Sequence, residues 1–352
     1  MPLVTLAADQ AIARLAEFSA VVDARSESEF AEDRLPGAVN WPSLNDEQRA
    51  RVGTLYKQVS PFEAQKIGAA LVARNVAAHL EREVLDKPRG WQPLVYCWRG
   101  GKRSHSLAFI LSQIGFKVTL VEGGYKAFRS VVIQQLPHLA KPLDYRVICG
   151  PTGSGKTRLL HALAAEGAQV LDLEALAEHR ASVLGLIPGR PQPSQKHFET
   201  RLWQALRALD PARPVYVEAE SKKVGNVTVP EALIAAMRAG QCVRLELSLN
   251  ERVSLLMEDY AHFVTDTDFF NRRLQALTAL RGKDMVQNWQ ARVERGEIES
   301  VVRDLLEKHY DPGYSNSTSR NFKRYATALE VAPATRGAEA MRAAAHSLLR
   351  LA

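Results

Sequence analysis

One short segment constrains the fold of this 352-residue chain more than any other. Residues 150–157 read GPTGSGKT, which matches the phosphate-loop pattern G-x-x-x-x-G-K-[ST] in full. An apolar run ends at Cys149, and an amphipathic stretch follows from Lys156 to Glu166, so a strand, a loop and a helix are predicted in that order. Glycines let backbone N–H groups turn toward an anion, and the helix N-terminus adds partial positive charge. The predicted phosphate-binding residues are Gly150, Thr152, Gly153, Ser154, Gly155, Lys156 and Thr157.

The loop pattern predicts a phosphate ligand without specifying which one. A nucleoside triphosphate and any diphosphate satisfy the same donors, and Thr157 is a candidate ligand for Mg²⁺. A partner aspartate for the metal is expected at the end of a later apolar strand, but Val215–Glu218 ends on glutamate, with Glu220 two residues on. Asp172 ends another strand, and there a helix-capping role is the simpler interpretation. The missing aspartate weakens the prediction of a nucleotide hydrolase.

A second candidate site surrounds a cysteine in the first half of the chain. The apolar run Leu94–Tyr96 ends at Cys97, and a helix is predicted to begin within the next six residues. Backbone donors, a helix N-terminus and nearby cations lower the pKa of a thiol, so Cys97 is predicted to be reactive. Three cations of this loop are candidates for holding an anionic group: Arg99, Lys102 and Arg103.

Two alternatives remain open for this cysteine loop. A lone cysteine is more commonly a buried and inert residue. The spacing from Cys97 to Arg103 and Ser104 also matches the cysteine phosphatases, in which cysteine attacks phosphorus and arginine clamps the oxygens. A phosphatase also needs a general acid, and the sequence does not identify one.

Composition excludes several other classes. The chain has three cysteines, which are too few and too scattered for a disulfide framework, a four-cysteine zinc site or an iron–sulfur run. Cys149 and Cys242 lie in apolar strands and are predicted to be core residues. We expect no transmembrane helix, because no apolar stretch approaches 18 residues. The acidic, amphipathic N-terminus is unlike a signal peptide, so a cytoplasmic protein with reduced thiols is the expectation.

Strand–helix alternation in both halves predicts an α/β fold with two parallel sheets. The predicted boundary lies in the proline-flanked stretch Leu136–Leu143, which gives domains of residues 1–138 and 139–352. A helical segment is predicted from about 268 to 310, and the polar stretch Ser315–Ser319 is predicted to be a loop. The strands are expected at Ala20–Asp23, Ala38–Trp41, Leu94–Cys97, Val118–Val121, Tyr145–Cys149, Gln169–Leu171, Val215–Glu218, Val243–Leu247 and Ala326–Val331.

Short motifs in both halves carry a family resemblance. The segment Asp23–Phe30 with Pro36–Asn40 resembles the opening signature of rhodanese domains, and Glu122–Tyr125 with Phe128 resembles the closing one. Cys97 falls where the sulfur-carrying cysteine of rhodaneses falls. With the phosphate loop and the segments HRAS (179–182), QKHFE (195–199), EAES (218–221) and HYDPGY (309–314), nearly the whole chain resembles the bacterial tRNA 2-selenouridine synthase family. Pro151 and Ala181 depart from its more glycine-rich pattern.

The resemblance implies a fold and a reaction. The expected fold is a rhodanese-like parallel-sheet domain followed by a P-loop α/β domain with a helical, basic C-terminal region. The implied enzyme is a transferase that alkylates the sulfur of wobble 2-thiouridine in tRNA with geranyl diphosphate and then replaces S-geranyl by selenium from selenophosphate. The loop at Lys156 is then a diphosphate site, and Cys97 is a selenium carrier as a perselenide. No tightly bound cofactor is expected, apart from a candidate Mg²⁺.

Supporting residues and a tRNA surface are also implied. The candidate supports for the phosphate site are Glu218, Glu220, Arg252, His179 and Arg180. Residues 270–324 hold 11 basic and 7 acidic residues, so they contribute +4 of the net charge of +7. This region is the candidate tRNA surface, although an ordinary mixed-charge helical surface is the alternative. Its candidate tRNA contacts are Arg272, Arg273, Arg281, Lys283, Lys323 and Arg324.

Two other functions remain open at this point. One is a rhodanese-linked P-loop NTPase or small-molecule kinase, which transfers or hydrolyses a nucleotide phosphate. The other is a regulatory rhodanese module on an RNA-binding P-loop protein, with an inert Cys97. Tight ATP binding with steady hydrolysis distinguishes the first from a selenotransferase, and substitution of Cys97 distinguishes the second.

Overall fold

The computed structural model describes residues 3–180, 185, 187 and 189–351, without the side chains of residues 262 and 315–317. It divides the chain into two compact units, Met1–Gln135 with Ser194–Gln204, and Leu136–Pro193 with Ala205–Ala352. Ala181, one of the two departures from the family pattern, lies outside the described residues. Within the described ranges, no helix combines the length and hydropathy that crossing a membrane requires.

The first unit contains alternating strands and helices. Pro61 at the start of the longest helix and the Ser60 side chain, which accepts hydrogen bonds from two backbone N–H groups, explain where that helix begins. Its elements are β1 (Val4–Leu6), α1 (Ala8–Ala13), β2 (Ala20–Asp23), α2 (Glu27–Glu32), β3 (Ala38–Asn40), α3 (Asp46–Gln58), α4 (Pro61–Glu83), β4 (Pro93–Tyr96), α5 (Lys102–Ile114), β5 (Thr119–Val121) and α6 (Gly124–Ala140).

The sheet of the first unit is parallel, with strand order β1-β5-β4-β2-β3. Strand β1 is a strand that the sequence patterns did not predict. Strand β4 is central and fully buried, which fits its unbroken apolar sequence. Cys97 follows β4 directly, so the central strand delivers the cysteine to the carboxyl edge of the sheet, where α/β folds place their ligands.

The second unit is built the same way. Helix α9 is divided between the two units and is named here in chain order. The elements are β6 (Tyr145–Cys149), α7 (Lys156–Ala165), β7 (Gln169–Leu171), α8 (Leu173–Ala177), α9 (Gln195–Arg207), β8 (Val215–Glu218), β9 (Lys223–Val224), β10 (Val227–Thr228), α10 (Glu231–Ala239), β11 (Gln241–Leu245), α11 (Leu249–Asp259), α12 (Ala261–Thr265), α13 (Thr267–Gln275), α14 (Thr278–Arg281), α15 (Lys283–Glu294), α16 (Ile298–Leu305), α17 (Asp311–Asn321), β12 (Leu329–Val331) and α18 (Ala338–Leu351).

Five parallel strands form the main sheet of this unit, in the order β12-β11-β6-β8-β7. Strand β6, which leads into the phosphate loop, lies between β8 and β11. The chain leaves β6 toward β7 on one side of the sheet and returns at β11 on the other, and such a reversal opens a crevice at the carboxyl edge. Glu218 ends β8 in register with Ile148, so it lies beside the phosphate loop.

A helical segment with its own apolar core covers residues 249–321. Phe263, Phe270, Trp289 and Leu305 are among its buried side chains. The prediction of a loop at Ser315–Ser319 is wrong, because these residues lie within α17. Helix α16 runs into α17 through a π-helical turn, so the helix is already propagating when it reaches the polar residues, and the buried Thr318 side chain anchors that stretch.

The start of α9 belongs to the first unit rather than to the second. Arg129 donates to Thr200 at 3.2 Å and to the Glu199 carboxylate, and Thr200 donates to the buried Asp33 at 3.0 Å. These buried polar groups satisfy one another, which accounts for the QKHFE segment without a catalytic role. The predicted boundary at residues 138 and 139 falls inside α6.

Candidate functional site

The phosphate loop has the geometry that an anion cradle requires. Gly155 has φ +85°, a backbone conformation that is strained for residues with a side chain. Its backbone also lies close to the Met341 side chain. The ammonium group of Lys156 folds back onto the loop and donates to the carbonyl oxygen of Gly150 at 2.9 Å. The buried Ser154 hydroxyl has no hydrogen-bond partner among the residues that the structure describes. The loop therefore presents a cation and an unsatisfied hydroxyl group at the N-terminus of α7.

A cavity of about 480 Å³ opens from this loop. Thr157, Glu174, Arg180 and Glu220 contribute to its lining, together with Lys156. Of the two residues predicted to follow β7, Arg180 lines the cavity, stacks over the Tyr260 ring at 4.5 Å and donates to the backbone carbonyl of Asp259.

His179 is buried next to Arg180. Burial lowers the pKa of the imidazole, and the charge of Arg273 lowers it further. The Nδ1 atom of His179 has no hydrogen-bond partner among the described residues. Burial and the Arg273 charge both favour the neutral ring.

Three carboxylates form a cluster beside Lys156. Glu174, Glu218 and Glu220 each place an oxygen within 4.8 Å of the others. Burial, reinforced by the charge of Glu174, raises the pKa of Glu218 to about 8, although Lys156 and the Thr157 hydroxyl oppose this. Burial, reinforced by the charges of Glu174 and Glu218, raises the pKa of Glu220 as well.

The donor set of this cluster fits a hard divalent cation. One oxygen of Glu218, Oε1, is buried and has no hydrogen-bond partner within the described part of the chain, and oxygen ligands of this kind suit Mg²⁺. Sequence reasoning found Glu218 and Glu220 but missed Glu174, whose position two residues after Asp172 at the same sheet edge was the available signal. Asp172 caps α8 through the Ala175 N–H at 2.8 Å, as its capping interpretation predicted.

Arg252 supports the phosphate loop through hydrogen bonds to its backbone. Its guanidinium group donates to the Thr152 carbonyl at 2.8 and 3.0 Å and pairs with Asp311 at 2.6 and 3.0 Å. These contacts join the Arg252 side chain to the backbone of the loop and to Asp311, so we assign it a supporting role for the loop. Tyr314 provides a second brace, because its hydroxyl accepts the Gly150 N–H. Both partners lie in the HYDPGY segment.

The cysteine loop of the first unit forms a separate cradle. The sulfur of Cys97 accepts the Gly101 N–H at 3.3 Å and the Ser104 hydroxyl at 3.1 Å. The closing signature holds this loop: the Tyr125 N–H donates to the Cys97 carbonyl at 2.8 Å. Gly124 has φ +57°, and a Cβ there would lie 2.2 Å from that carbonyl oxygen. Cys97 itself is only 2% exposed.

The three cations of this loop differ in their surroundings. Arg99 and Lys102 are exposed, while Arg103 donates to Glu29 at 2.8 Å. Burial raises the pKa of Glu29, but the hydrogen bond from Arg103 and the charges of Arg103 and Arg49 outweigh it and keep that pKa below its usual value. Glu29 thus orients Arg103 beside the loop, a role that the sequence patterns did not predict.

The other cysteines and the candidate tRNA contacts complete the set. Cys149 and Cys242 are fully buried, which confirms the prediction of core residues. Arg281 donates to His309 at 2.8 Å, and Arg273 is half-buried. Four of the predicted contacts are exposed: Arg272, Lys283, Lys323 and Arg324.

These two units define a class of protein: a rhodanese-like domain joined to a P-loop domain. Residues 7–131 match the family model described as "Rhodanese-like domain", and residues 143–279 match "tRNA 2-selenouridine synthase AAA domain". A solved N-terminal domain of a putative ATP/GTP binding protein from Clostridium difficile 630 is 31% identical, covers 38% of this chain and 99% of its own, and has a TM-score of 0.32.

Curated relatives identify the family. A tRNA 2-selenouridine synthase of Alcanivorax borkumensis is 32% identical over 332 residues, covering 85% of this chain and 90% of the relative. Another, from Nitrosomonas europaea, is 40% identical over 68% of this chain and 63% of the relative. A third, from Marinobacter nauticus, is 38% identical over 65% of its length, so the match spans just under two thirds of these last two. The chain belongs to the tRNA 2-selenouridine synthase family.

Proposed function

We propose that this protein is a tRNA-modifying transferase that converts wobble 2-thiouridine to 2-selenouridine through S-geranyl-2-thiouridine. Geranyl diphosphate and selenophosphate are the co-substrates. The observation that carries the proposal is the pair of anion cradles on one chain, the phosphate loop at Lys156 and the thiol cradle at Cys97. Membership of the tRNA 2-selenouridine synthase family supports tRNA as the substrate and a selenium-containing nucleoside as the product. With tRNA as the substrate, the proposed site of action is the cytoplasm.

The phosphate loop serves the alkylation step in this proposal. The sulfur of thiouridine attacks carbon 1 of the geranyl group, the carbon–oxygen bond breaks, N3 loses its proton and diphosphate leaves. Lys156 and the backbone N–H groups after Gly153 stabilise the charge that develops on the departing diphosphate. A diphosphate occupant also accounts for a phosphate loop that lacks the usual aspartate.

The carboxylate cluster supports the same step. Glu174, Glu218, Glu220 and Thr157 are the residues that would hold Mg²⁺, which when bound supplies positive charge next to the diphosphate. Bound cation also offsets the cost of placing three carboxylates in one buried cluster.

The cysteine cradle serves the selenium step. The selenium of selenophosphate adds to carbon 2 of the alkylated base, the carbon–sulfur bond breaks, and the geranyl thiolate leaves and takes a proton from solvent. Water then cleaves the selenium–phosphorus bond and releases phosphate. The Gly101 N–H and the Ser104 hydroxyl stabilise an anionic chalcogen at the position of the Cys97 sulfur. Arg99, Lys102 and Arg103 are candidates for holding the phosphate oxygens of selenophosphate. The role of Cys97 as a covalent selenium carrier stays a prediction.

The tRNA backbone is assigned to the helical segment. Arg272, Lys283, Lys323 and Arg324 are exposed and free of the core, which suits contacts to phosphate. Arg281 bonds to His309, so its expected contribution is smaller.

Two substitutions test the division of labour between the cradles. Lys156→Ala is expected to abolish S-geranylation, and Cys97→Ala is expected to allow geranylation but stop selenation. The products are measured by mass spectrometry of digested tRNA nucleosides. Retained S-geranyl product in Lys156→Ala would refute the diphosphate assignment. Tight ATP binding with steady hydrolysis would instead favour the P-loop NTPase or kinase function.

A further inference from the structure

A second, small cavity lies in the helical segment of the second unit. It measures about 40 Å³ and is lined by the side chains of Phe263, Phe270, Val302, Leu305 and Tyr310. The first two rings stack on each other at 4.7 Å between centroids. Space of this size holds roughly three waters, but an apolar lining offers them few hydrogen bonds. We call this cavity the apolar slot.

The apolar slot is continuous with the phosphate site. Thr152, Leu256 and Tyr260 line both the slot and the larger cavity at the phosphate loop. The backbone of Gly153 packs closely against Leu256, since a Cβ there would lie 3.1 Å from that side chain. A ligand held by the loop therefore meets the mouth of the slot directly.

The two cavities differ sharply in polarity. The larger one contains Lys156, Arg180 and the carboxylate cluster, whereas the slot is walled by aliphatic and aromatic groups. Tyr260 stands at the junction, with the Arg180 guanidinium over its ring at 4.5 Å and the Phe263 ring stacked on it. The cations of the larger cavity suit an anionic head group, and the apolar walls of the slot suit a hydrocarbon chain. The two cavities together therefore match an amphiphile with an anionic head and an unsaturated chain.

We propose that the apolar slot binds the hydrocarbon chain of the allylic diphosphate whose head occupies the phosphate loop. This inference rests on the proposed function for the identity of the head group and adds the residues that recognise the chain. The slot opens onto the larger cavity, and a hydrocarbon chain that enters it removes apolar surface from water, which favours such an occupant. Its volume suits about one isoprene unit, with the preceding unit in the larger cavity. The slot thereby selects a ten-carbon chain over a five-carbon chain.

The dependence of binding on the length of the hydrocarbon chain tests this assignment on the whole 352-residue protein. Isothermal titration with inorganic diphosphate, dimethylallyl diphosphate and geranyl diphosphate is expected to show geranyl diphosphate binding at least about tenfold more tightly than the five-carbon compound. Val302→Phe fills the slot from a partly buried position and is expected to remove that advantage while leaving the affinity for inorganic diphosphate unchanged. Val264→Phe is the matched control, because Val264 is 42% exposed and does not line the slot.

A second variant keeps the test decisive if Val302→Phe does not fold. Val302→Ala enlarges the slot and is expected to raise the affinity for the fifteen-carbon farnesyl diphosphate relative to geranyl diphosphate by about threefold or more. An unchanged chain-length preference in the folded variants overturns the inference and leaves the proposed function standing. If inorganic diphosphate binds wild type and Lys156→Ala equally, the proposed function fails, and the inference fails with it.

Discussion

The buried carboxyl group of Glu218 gives the clearest quantitative prediction for the phosphate site. Its pKa rises from 4.5 to about 8 because burial disfavours the carboxylate. The native protein therefore binds more protons at this site than the unfolded chain over that range, and the free energy of unfolding falls as pH rises. At about 1.36 kcal/mol per pKa unit, the loss between about pH 5 and about pH 8 is roughly 3 kcal/mol.

Glu218→Gln removes this titration while preserving the shape of the side chain. The variant is expected to equal wild type near pH 5 apart from a constant offset, and to gain roughly 3 kcal/mol on it by pH 8 without divalent cations. Excess Mg²⁺ is expected to narrow the difference, because the cation stabilises the ionised carboxylate of wild type alone. The substitution is therefore expected to stabilise the fold while weakening binding of Mg²⁺ at the proposed site.

Unfolding of the second unit must be observed separately from the first. Trp289 is the single tryptophan of the second unit and is buried, so its ¹⁹F resonance in 5-fluorotryptophan-labelled protein reports urea unfolding there. Glu339→Gln, on the exposed face of α18, is the matched control and is expected to follow wild type at every pH. A difference between Glu218→Gln and wild type that does not change with pH would show that the carboxylate is solvated, and the buried cluster would be refuted.

Three further substitutions test other parts of the account. Ser104→Ala removes the hydroxyl that donates to the Cys97 sulfur at 3.1 Å, and we expect the selenation rate to fall about tenfold with geranylation unchanged, as measured by nucleoside mass spectrometry; equal rates would contradict a role for that hydrogen bond. Asp311→Asn loosens Arg252 beneath the phosphate loop, and calorimetry with inorganic diphosphate is expected to show about tenfold weaker binding; unchanged affinity would mean that the brace is dispensable. Gly124→Ala is expected to lower the free energy of unfolding of the first unit by at least about 2 kcal/mol, as measured by urea titration. Gly53→Ala, in open space within α3, is the control and is expected to be neutral or stabilising. A neutral Gly124→Ala would contradict the close packing at the cysteine loop.

Sequence patterns predicted most of the fold because its strongest signals are local. The apolar strands before Cys97 and Gly150, the glycine-rich loops and the helices that follow them all depend on residues close together in the chain. The loop expected at Ser315–Ser319 failed for the opposite reason. Its polar residues favour a turn locally, but the helix that arrives through the π-helical turn and the buried Thr318 override that preference.

The candidate site was predictable where one motif carries it and unpredictable where distant segments meet. Lys156 and Cys97 are recognisable from their own neighbours in sequence. The Arg252–Asp311 pair, the Tyr314 brace and the Glu29–Arg103 pair join residues 59 to 164 positions apart, and no spacing rule predicts them. Arg252 illustrates the consequence: the sequence places it among the candidate supports of the phosphate site but does not identify its partners, which are a backbone carbonyl and an aspartate.

The central claim is tested most directly by following one tRNA through both steps. Thiolated tRNA is incubated with the protein and geranyl diphosphate, and selenophosphate is then added, with nucleosides identified by mass spectrometry after each addition. The account predicts S-geranyl-2-thiouridine after the first addition and 2-selenouridine after the second, with Lys156→Ala blocked before the first product and Cys97→Ala blocked before the second. Formation of 2-selenouridine without geranyl diphosphate, or of neither product by the wild-type protein, would contradict it.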